Sequence, residues 1–497
     1  MDTMLYSVAQ IRAIEQAAQA RLETGALMRC AGEAASAYAL ELLGGFPAGV
    51  VLVLAGPGNN GGDALEVAAN LANLGVRVDV VYLPGAAVSE EGAHALARAQ
   101  ASRARFVEQV EAGAHWCLVV DGLFGIGLAR PLSGRARELA ELAGSLDCPV
   151  LALDVPSGLD ADTGAVVGPD GAAVYATHTI TFLGNKPGLH TGDGCDHAGR
   201  VHVSRLVTDA MHLESAQARL NGPQLFAHAL APRRRNTHKG SFGDVAVLGG
   251  ARGMAGAALL AARGALFGGA GRVFAAVLDP GLGIDPQQAE IMFRDAAGFD
   301  FSGRTVVAGP GMGATPVAER LLGKVLDGAQ PLLLDADALN LLAASQELQA
   351  RVRARQGPTL LTPHPLEAAR LLGVTAAIVQ AERLENAREL AMRLGAVVIL
   401  KGAGSVIARP DGEVAINTTG NPGLASGGTG DVLAGLCGAL LAQGWPAWEA
   451  ALGATWLHGL AADRMVQRGL GPIGLTAGEL PRAIRAELNL LAAQGLG

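Results

Sequence analysis

Two successive α/β domains, each a parallel sheet wrapped by helices, are what this sequence predicts. The chain has 497 residues, too many for one ordinary hydrophobic core. Half of it is hydrophobic, but only 4% is aromatic, and 69 residues are glycine. That mixture of small aliphatics and tight turns suits parallel α/β layers better than an aromatic-rich sandwich. Short apolar runs also alternate with segments of helical period along most of the chain.

Taken in order, Ile11, Ile14, Ala18 and Leu22 recur at helical spacing, and Leu27, Met28 and Ala31 begin a second apolar stripe. The first forty-odd residues therefore read as two helices. VVLVLAG (Val50 to Gly56) follows as a buried strand, then a helix from Ala64 to Leu74, a strand VRVDVVYL (Val76 to Leu83) and a helix from Ser89 to Ala101. CLVVDG and VLALDVPSG are strands separated by another helix, the alternation of a Rossmann-like three-layer domain. Between about Arg205 and Pro232 the rhythm fades, with Asn221, Gly222 and Pro223 as breakers, so the boundary is expected there. Strands resume at VAVLGG (Val245 to Gly250), VVAGPG (Val306 to Gly311), LLLDADAL (Leu332 to Leu339), TLLTPHP (Thr359 to Pro365) and VVILKG (Val397 to Gly402). The halves share no repeat, which points to fusion rather than duplication.

A net charge of −8 opposes general affinity for nucleic acid. The one basic run, Arg233 to Arg235, reads first as a solvated segment near a domain start, although His238 and Lys239 follow closely. Five scattered cysteines without CxxC spacing indicate neither a disulfide framework nor a zinc site, and a reducing cytoplasm is the expected compartment. No basic leader precedes an apolar core, and no apolar run reaches membrane-spanning length, so neither export nor membrane insertion is expected. Glycine-rich sheets of low aromatic content often bury their edges by association, so a homo-oligomer is expected.

In the first half, three strands run into polar loops: GPGNNGGD, the loop carrying Asp121, and the loop carrying Asp154 and Ser157. Ligands of open α/β sheets bind at the carboxyl ends of strands, so these loops are candidates for one crevice. Gly56, Gly58, Gly61 and Gly62 permit close backbone approach, and amides ahead of the helix near Ala64 would cradle a phosphate. A tight strand-to-helix turn, with Asp63 as a helix-start charge, accounts for the glycines equally well. The Asn carbonyls with Asp121 and Ser157 offer hard oxygen donors that suit a monovalent cation such as potassium better than zinc or copper.

GPGNNGGD, DGLFGIG and DVPSGLDADTG closely resemble the signature loops of the NAD(P)H-hydrate epimerase domain, also called the YjeF N-terminal domain, over residues 1 to 215. The resemblance implies that Asn59, Asn60, Gly61, Gly62 and Asp63, with Gly125, Ile126, Gly127, Leu128, Ala129, Arg130 and Pro131, hold the hydrated nucleotide. It puts Asp154 beside the reacting ring and Asn60, Asp121 and Ser157 on potassium. Exchange of configuration at a hydroxylated carbon needs proton transfer to and from oxygen, which is the work expected of Asp154. Ala64 stands where the family usually has Gly, and Glu66 where it has a small or apolar residue.

In the second half, NPGLASGGTGDVLAG (Asn421 to Gly435) is a glycine-rich turn ending at Asp431 before an apolar helix. Amides of Gly428, Thr429 and Gly430 would face an anion, and Asp431 would deprotonate a hydroxyl. The GTGD element resembles the anion-hole and base signature of the ribokinase-like superfamily. Together with HKGSFGDVAVLGG, GPGMG, LDADALN, TPHPLE and KGAGSVI it is similar to the ADP/ATP-dependent NAD(P)H-hydrate dehydratase, over residues 222 to 497. On that resemblance Lys401, Gly402, Ala403, Gly404, Ser405 and Gly430 contact ADP, while Ala257, Gly311, His364 and Asp431 contact the hydrated cofactor. Asp335, Asp337 and Asn340 are candidates for magnesium carried with ADP. The implied function is repair of NADHX and NADPHX: the first domain interconverts the R and S forms and the second dehydrates the S form, converting ADP to AMP and phosphate. The alternative is a vitamin-precursor kinase carrying an N-terminal ligand-binding or scaffolding module.

Overall fold

The computed structural model describes all residues except 1–2, 46–47, 86–88, 112, 207–215, 217, 280, 282 and 494–497. The chain divides into two compact units, Met1–Arg219 and Leu220–Gly497. The expected end of the first domain at residue 215 lies outside the described residues. No helix among the described residues is long and apolar enough to cross a membrane.

In the first unit, a serine cap opens the helix Val8–Gln19: Ser7 and Gln10 form a reciprocal capping box. After the helix Ala26–Leu43 come the strands Val50–Ala55 (β1), Val78–Tyr82 (β2), Arg105–Phe106 (β3), Trp116–Gly122 (β4), Val150–Leu153 (β5), His178–Phe182 (β6) and Arg200–Ser204 (β7). They pair in parallel in the order β3-β2-β1-β4-β5-β6-β7. The β1 run is apolar throughout because both its faces are covered. Val51, Val53 and Ala55 pack with the helices Ala26–Leu43 and Asn59–Asn73, while Leu52 and Leu54 pack on the other face with Leu139, Ala140 and Ala143 of the helix Gly134–Ser145. Ala55 is level with Gly122, and Asp121 with Ala152, so the loops after β1, β4 and β5 leave the sheet side by side.

The second unit contains the strands Asp244–Gly249 (β8), Arg272–Val277 (β9), Met292–Asp295 (β10), Thr305–Ala308 (β11), Leu332–Leu334 (β12), Thr359–Leu361 (β13), Val397–Leu400 (β14), Val406–Ala408 (β15) and Val414–Ile416 (β16). Their order is β16-β15-β14-β13-β12-β11-β8-β9-β10, parallel from β14 through β10 and antiparallel across β14, β15 and β16. The helices Ala255–Phe267, Thr429–Ala442 and Ala447–Gln467 share one core with Val245, Val307, Leu333, Leu360 and Ile399.

Three expected boundaries move. The first glycine loop is itself helical, because the helix starts at Asn59 rather than near Ala64, with Gly58 as its extended N-cap. The GTGD helix likewise starts at Thr429, so Gly430 and Asp431 lie in its first turn. LLLDADAL is not one strand: it leaves the sheet at Leu334 and turns into the helix Ala336–Ala344, with Asp335 at the N-cap position. Arg233, in the basic run, is occupied structurally, donating to the Gly269 carbonyl and Gln443 and lying 3.9 Å over the Phe242 ring.

Candidate active sites

In the first unit the helix Asn59–Asn73 sits unusually close to the sheet. A Cβ on Gly61 would lie 1.9 Å from the Gly56 carbonyl oxygen, and one on Gly122 would lie 2.5 Å from the Ala64 Cβ. Gly61 and Gly62 thus serve packing, Gly62 against Met28. Ala64 is accommodated by the glycine at 122. Glu66, the other departure from the family pattern, is buried and ion-paired with Arg98 at 2.5 Å. Burial pushes its carboxyl pKa up, and Arg98 opposes the shift.

Above the strand ends lies a cavity of about 430 Å³. Asn59, Asn60 and Asp63 line it from the helix, Gly125, Ile126, Gly127 and Leu128 from the loop after β4, and Asp154 from the end of β5. Ala129, Arg130 and Pro131 are not among its lining residues, and Pro131 packs against Gly168. The cavity also takes Ile11, Arg12, Glu15 and Gln19 from the first helix, which no sequence motif marks as part of a site.

Asp154 has φ 66°, a left-handed conformation costly for a residue with a Cβ and concentrated at functional positions. One carboxylate oxygen accepts from Lys186 Nζ at 2.6 Å and the other from the Ile126 amide at 3.1 Å. Sequence reading missed Lys186, which stands four residues beyond the strand His178–Phe182 and outside the recognised loops. It is fully buried, and its ammonium also donates to Thr181 Oγ1 and the Phe182 carbonyl.

Asp121 is buried and latches two loops: it accepts from the Ser157 hydroxyl (2.6 Å), the Ser157 amide (2.9 Å) and the Leu123 amide (3.2 Å). Burial raises its pKa to about 6 against these hydrogen bonds. Asn60 is buried, and neither its Oδ1 nor its Nδ2 has a partner among the described residues. An orphaned buried amide is costly, so this corner fits a further group, and an amide oxygen without a donor is a ligand type that hard cations take.

In the second unit, Lys401 directly follows β14 and donates to Asp335 at 2.7 Å, an ion pair almost closed to solvent on the aspartate side. A Cβ on Gly430 would stand 3.4 Å from Lys401 Nζ, so the first turn of Thr429–Ala442 meets this pair. Its Gly430 and Asp431 amides lack intrahelical partners, as at any helix start, and face an anion favourably. Burial, then the neighbouring Asp335, raises the Asp431 pKa to about 7, with Lys401 opposing and Asp337 adding. Buried His458, absent from any motif, bonds the Thr429 carbonyl through Nε2 at 3.0 Å and braces the turn from behind.

The loop Lys401–Ser405 turns on Gly402 (φ 141°) and Gly404 (φ 58°) and is closed by hydrogen bonds between Ser405 Oγ and Gly402. Buried Arg383, also missed, donates to the Leu400 and Lys401 carbonyls. Gly311 (φ 58°) touches the start of Ala255–Phe267: a Cβ there would lie 3.2 Å from the Ala257 Cβ. Leu260 of the same helix reaches Gly428, which brings Ala257 and Gly311 to the GTGD turn.

His364 is the N-cap of the helix Pro365–Leu372, its Nδ1 accepting from the Leu366 and Glu367 amides. Nε2 therefore carries the proton, 3.3 Å from a Glu367 carboxylate oxygen. Burial, then Lys401, lowers the imidazole pKa, and burial raises that of Glu367 to about 7. Asp337 accepts from the Gly313 amide, and Asn340 accepts from Arg370. Asn340 is thus committed to a cation of the protein, while Asp335 and Asp337 each keep one carboxylate oxygen without a hydrogen bond among the described residues.

A family profile described as YjeF-related protein N-terminus matches residues 24–188, and one described as NAD(P)H-hydrate dehydratase matches residues 245–485. The chain is 38% identical over 456 residues to the bifunctional NAD(P)H-hydrate repair enzyme of Escherichia coli, covering 88% of this chain and 85% of that one. It is 36% identical over 504 residues to the enzyme of the same name from Coxiella burnetii, covering 98% and 100%. A solved structure of the ADP/ATP-dependent NAD(P)H-hydrate dehydratase from Bacillus subtilis, co-crystallised with ATP and magnesium, is 32% identical. It covers 54% of this chain and 95% of that one, with a TM-score of 0.47.

Proposed function

Because the chain belongs to the bifunctional NAD(P)H-hydrate repair enzyme family, we propose that it restores hydrated, inactive NADH and NADPH through two activities on one polypeptide. The first unit exchanges the R and S epimers, and the second dehydrates the S epimer with conversion of ADP to AMP and phosphate. The observation that carries this reading is that each unit sets an aspartate, Asp154 or Asp431, at the carboxyl edge of its sheet beside a glycine-rich helix start.

In the second unit Asp431 takes the proton of the ring hydroxyl as its oxygen attacks the terminal phosphate of ADP, releasing AMP. Hydroxide is a poor leaving group and phosphate a good one. The ring nitrogen lone pair then expels phosphate, and loss of a proton from the adjacent carbon restores the double bond. The Gly430 and Asp431 amides and Lys401 face the phosphate charge, and the loop from Lys401 to Ser405 holds ADP. Ala257, Gly311 and His364 border the hydrated ring. Magnesium carried on the nucleotide would neutralise phosphate charge, with Asp335 and Asp337 the oxygen donors at hand. In the first unit, Asn60, Asp121 and Ser157 would hold potassium, which would supply a fixed positive charge to the cavity.

Absorbance at the reduced-nicotinamide band, followed after adding the protein to mixed R- and S-hydrated NADH, tests the reading. Recovery of the whole mixture only with ADP and magnesium is expected. Recovery halting at the S fraction would remove the epimerase; a phosphorylated heterocycle with no recovered NADH would point to the kinase alternative. A second expectation concerns the cation: replacing potassium by tetramethylammonium slows epimer exchange at least tenfold without slowing dehydration of pure S epimer. Asn60→Leu should abolish that potassium dependence, and an exchange rate indifferent to the cation would refute the site.

A further inference from the structure

Resting on the reading that the first cavity exchanges the epimers, we propose that Asp63 is the catalytic acid that partners Asp154, with Lys186 as the positioning residue that makes Asp154 the base. Both carboxyls line the same cavity from different elements, Asp63 from the helix Asn59–Asn73 and Asp154 from the end of β5. Their surroundings are opposite. Asp154 accepts on both oxygens, from the Lys186 ammonium and from the Ile126 amide. All three Lys186 protons are used, on Asp154, Thr181 and Phe182, in a side chain closed to solvent. A carboxylate held by an ammonium and an amide is the ionised member of a pair.

Asp63 has no hydrogen-bond donor of its own among the described residues. Its charged neighbours are carboxylates: Asp154 first, then Glu15, Glu66 and Glu91. Arg12 on the first helix is the cation lining the same cavity. Burial and the surrounding negative charge hold its proton well above the usual carboxyl range. One carboxyl held by donors on both oxygens and one without a donor, facing the same cavity, are a base and an acid in waiting.

The Asp63 proton passes to the ring hydroxyl oxygen while the carbon–oxygen bond breaks and the ring nitrogen lone pair forms a carbon–nitrogen double bond, so that water leaves. A water adding to the opposite face of that carbon gives its proton to Asp154, and the double-bond electrons return to nitrogen. Cavity water carries the proton back from Asp154 to Asp63.

The test uses the full chain and pure S-hydrated NADH without nucleotide, with formation of the R epimer followed by chromatography and the uncatalysed rate subtracted. Asp63→Asn is expected to lower kcat for exchange at least 100-fold with KM changed less than threefold, the scale of a lost general acid. Wild-type kcat/KM should fall at high pH as Asp63 loses its proton. Lys186→Met should lower kcat for exchange at least tenfold with KM changed less than threefold, because nothing then holds the Asp154 oxygen that the ammonium held, and Lys186→Arg should restore it; a merely structural lysine would move KM and the melting temperature together with kcat. Exchange by Asp63→Asn within threefold of wild type, while Asp154→Asn is inactive, overturns the pairing and leaves the epimerase reading intact. So does a 100-fold loss in Glu15→Gln with Asp63→Asn unaffected, which would make Glu15 the acid. If Asp63→Asn does not fold, the wild type decides, and a kcat/KM without a high-pH limb across the range in which the protein stays folded rejects the acid. No exchange by the wild type refutes the epimerase reading itself.

Discussion

Replacing Asp431 by Asn is expected to reduce ADP-dependent dehydration of S-hydrated NADH by about 10²- to 10⁴-fold, the range for removing a positioned general base. The amide keeps the volume and the helix start but accepts no proton. The wild-type pH profile carries the same information without a mutation. Burial and then Asp335 hold the Asp431 pKa near 7, and the base works only when ionised. Below that value kcat/KM should fall tenfold per pH unit, and above it the profile should level. Stability runs the other way. A carboxyl whose folded pKa is raised contributes stability at low pH that is lost as pH rises through the folded value. Asp431→Asn should therefore melt at a higher temperature than wild type at pH 8, with the advantage shrinking towards pH 4. An Asp431→Asn enzyme that dehydrates at the wild-type rate would remove Asp431 from the mechanism, and a flat wild-type profile between pH 5 and 8 would remove it as the titrating base.

Opposite demands on one side chain are consistent with how the motif was legible. GTGD stands out because its glycines exceed what an N-cap needs, and the alternation of strands and helices places Asp121, Asp154 and Asp431 at the carboxyl ends of strands or the head of a helix. Apolar runs such as VVLVLA could be read because a strand buried on both faces has no polar positions. HTITF escaped notice as a strand because Thr179 and Thr181, though buried, look like solvent-facing positions: Thr179 donates to the Ala198 carbonyl and Thr181 accepts from Lys186. The short β15 and β16 have three residues each, and three-residue runs carry little periodicity.

What the sequence withheld about the sites is mostly their support. Lys186, Arg383 and His458 lie outside the recognisable loops, and each is buried where only tertiary packing brings it to its partner. The start of a helix was misjudged twice for one reason. Glycine-rich segments look like loops by propensity, yet Asn59–Asp63 and Thr429–Asp431 are helical, and in the first of them Gly61 and Gly62 are small because the Gly56 carbonyl and Met28 press against them. The glycines therefore do two jobs that composition alone does not separate: they leave amides open to a ligand, and they let two backbones touch.

Gly435→Ala separates those jobs. Gly435 follows Asp431 by one helical turn and faces Ala255–Phe267, where an added Cβ would lie 1.9 Å from the Ala261 carbonyl oxygen and 2.9 Å from the Ala265 amide nitrogen. Both obstacles are backbone atoms, so no rotamer relieves the clash, and the helices must part by more than an ångström. Overpacking of this kind costs about 3 kcal/mol or more in a close-packed interior. The separation carries Asp431 and Gly430 away from Lys401 and Asp335, so dehydration should fall at least 100-fold even in protein that remains folded. A positioning error near an ångström is enough for that. Gly256→Ala, on the same helix pair, provides the contrast: an added Cβ meets nothing within 4 Å, and helix propensity favours alanine by up to about 1 kcal/mol. Thermal melts of both variants, with dehydration rates on the same preparations, decide the matter. A Gly435→Ala protein with wild-type melting and activity would mean that the close helix contact does not hold the base in place.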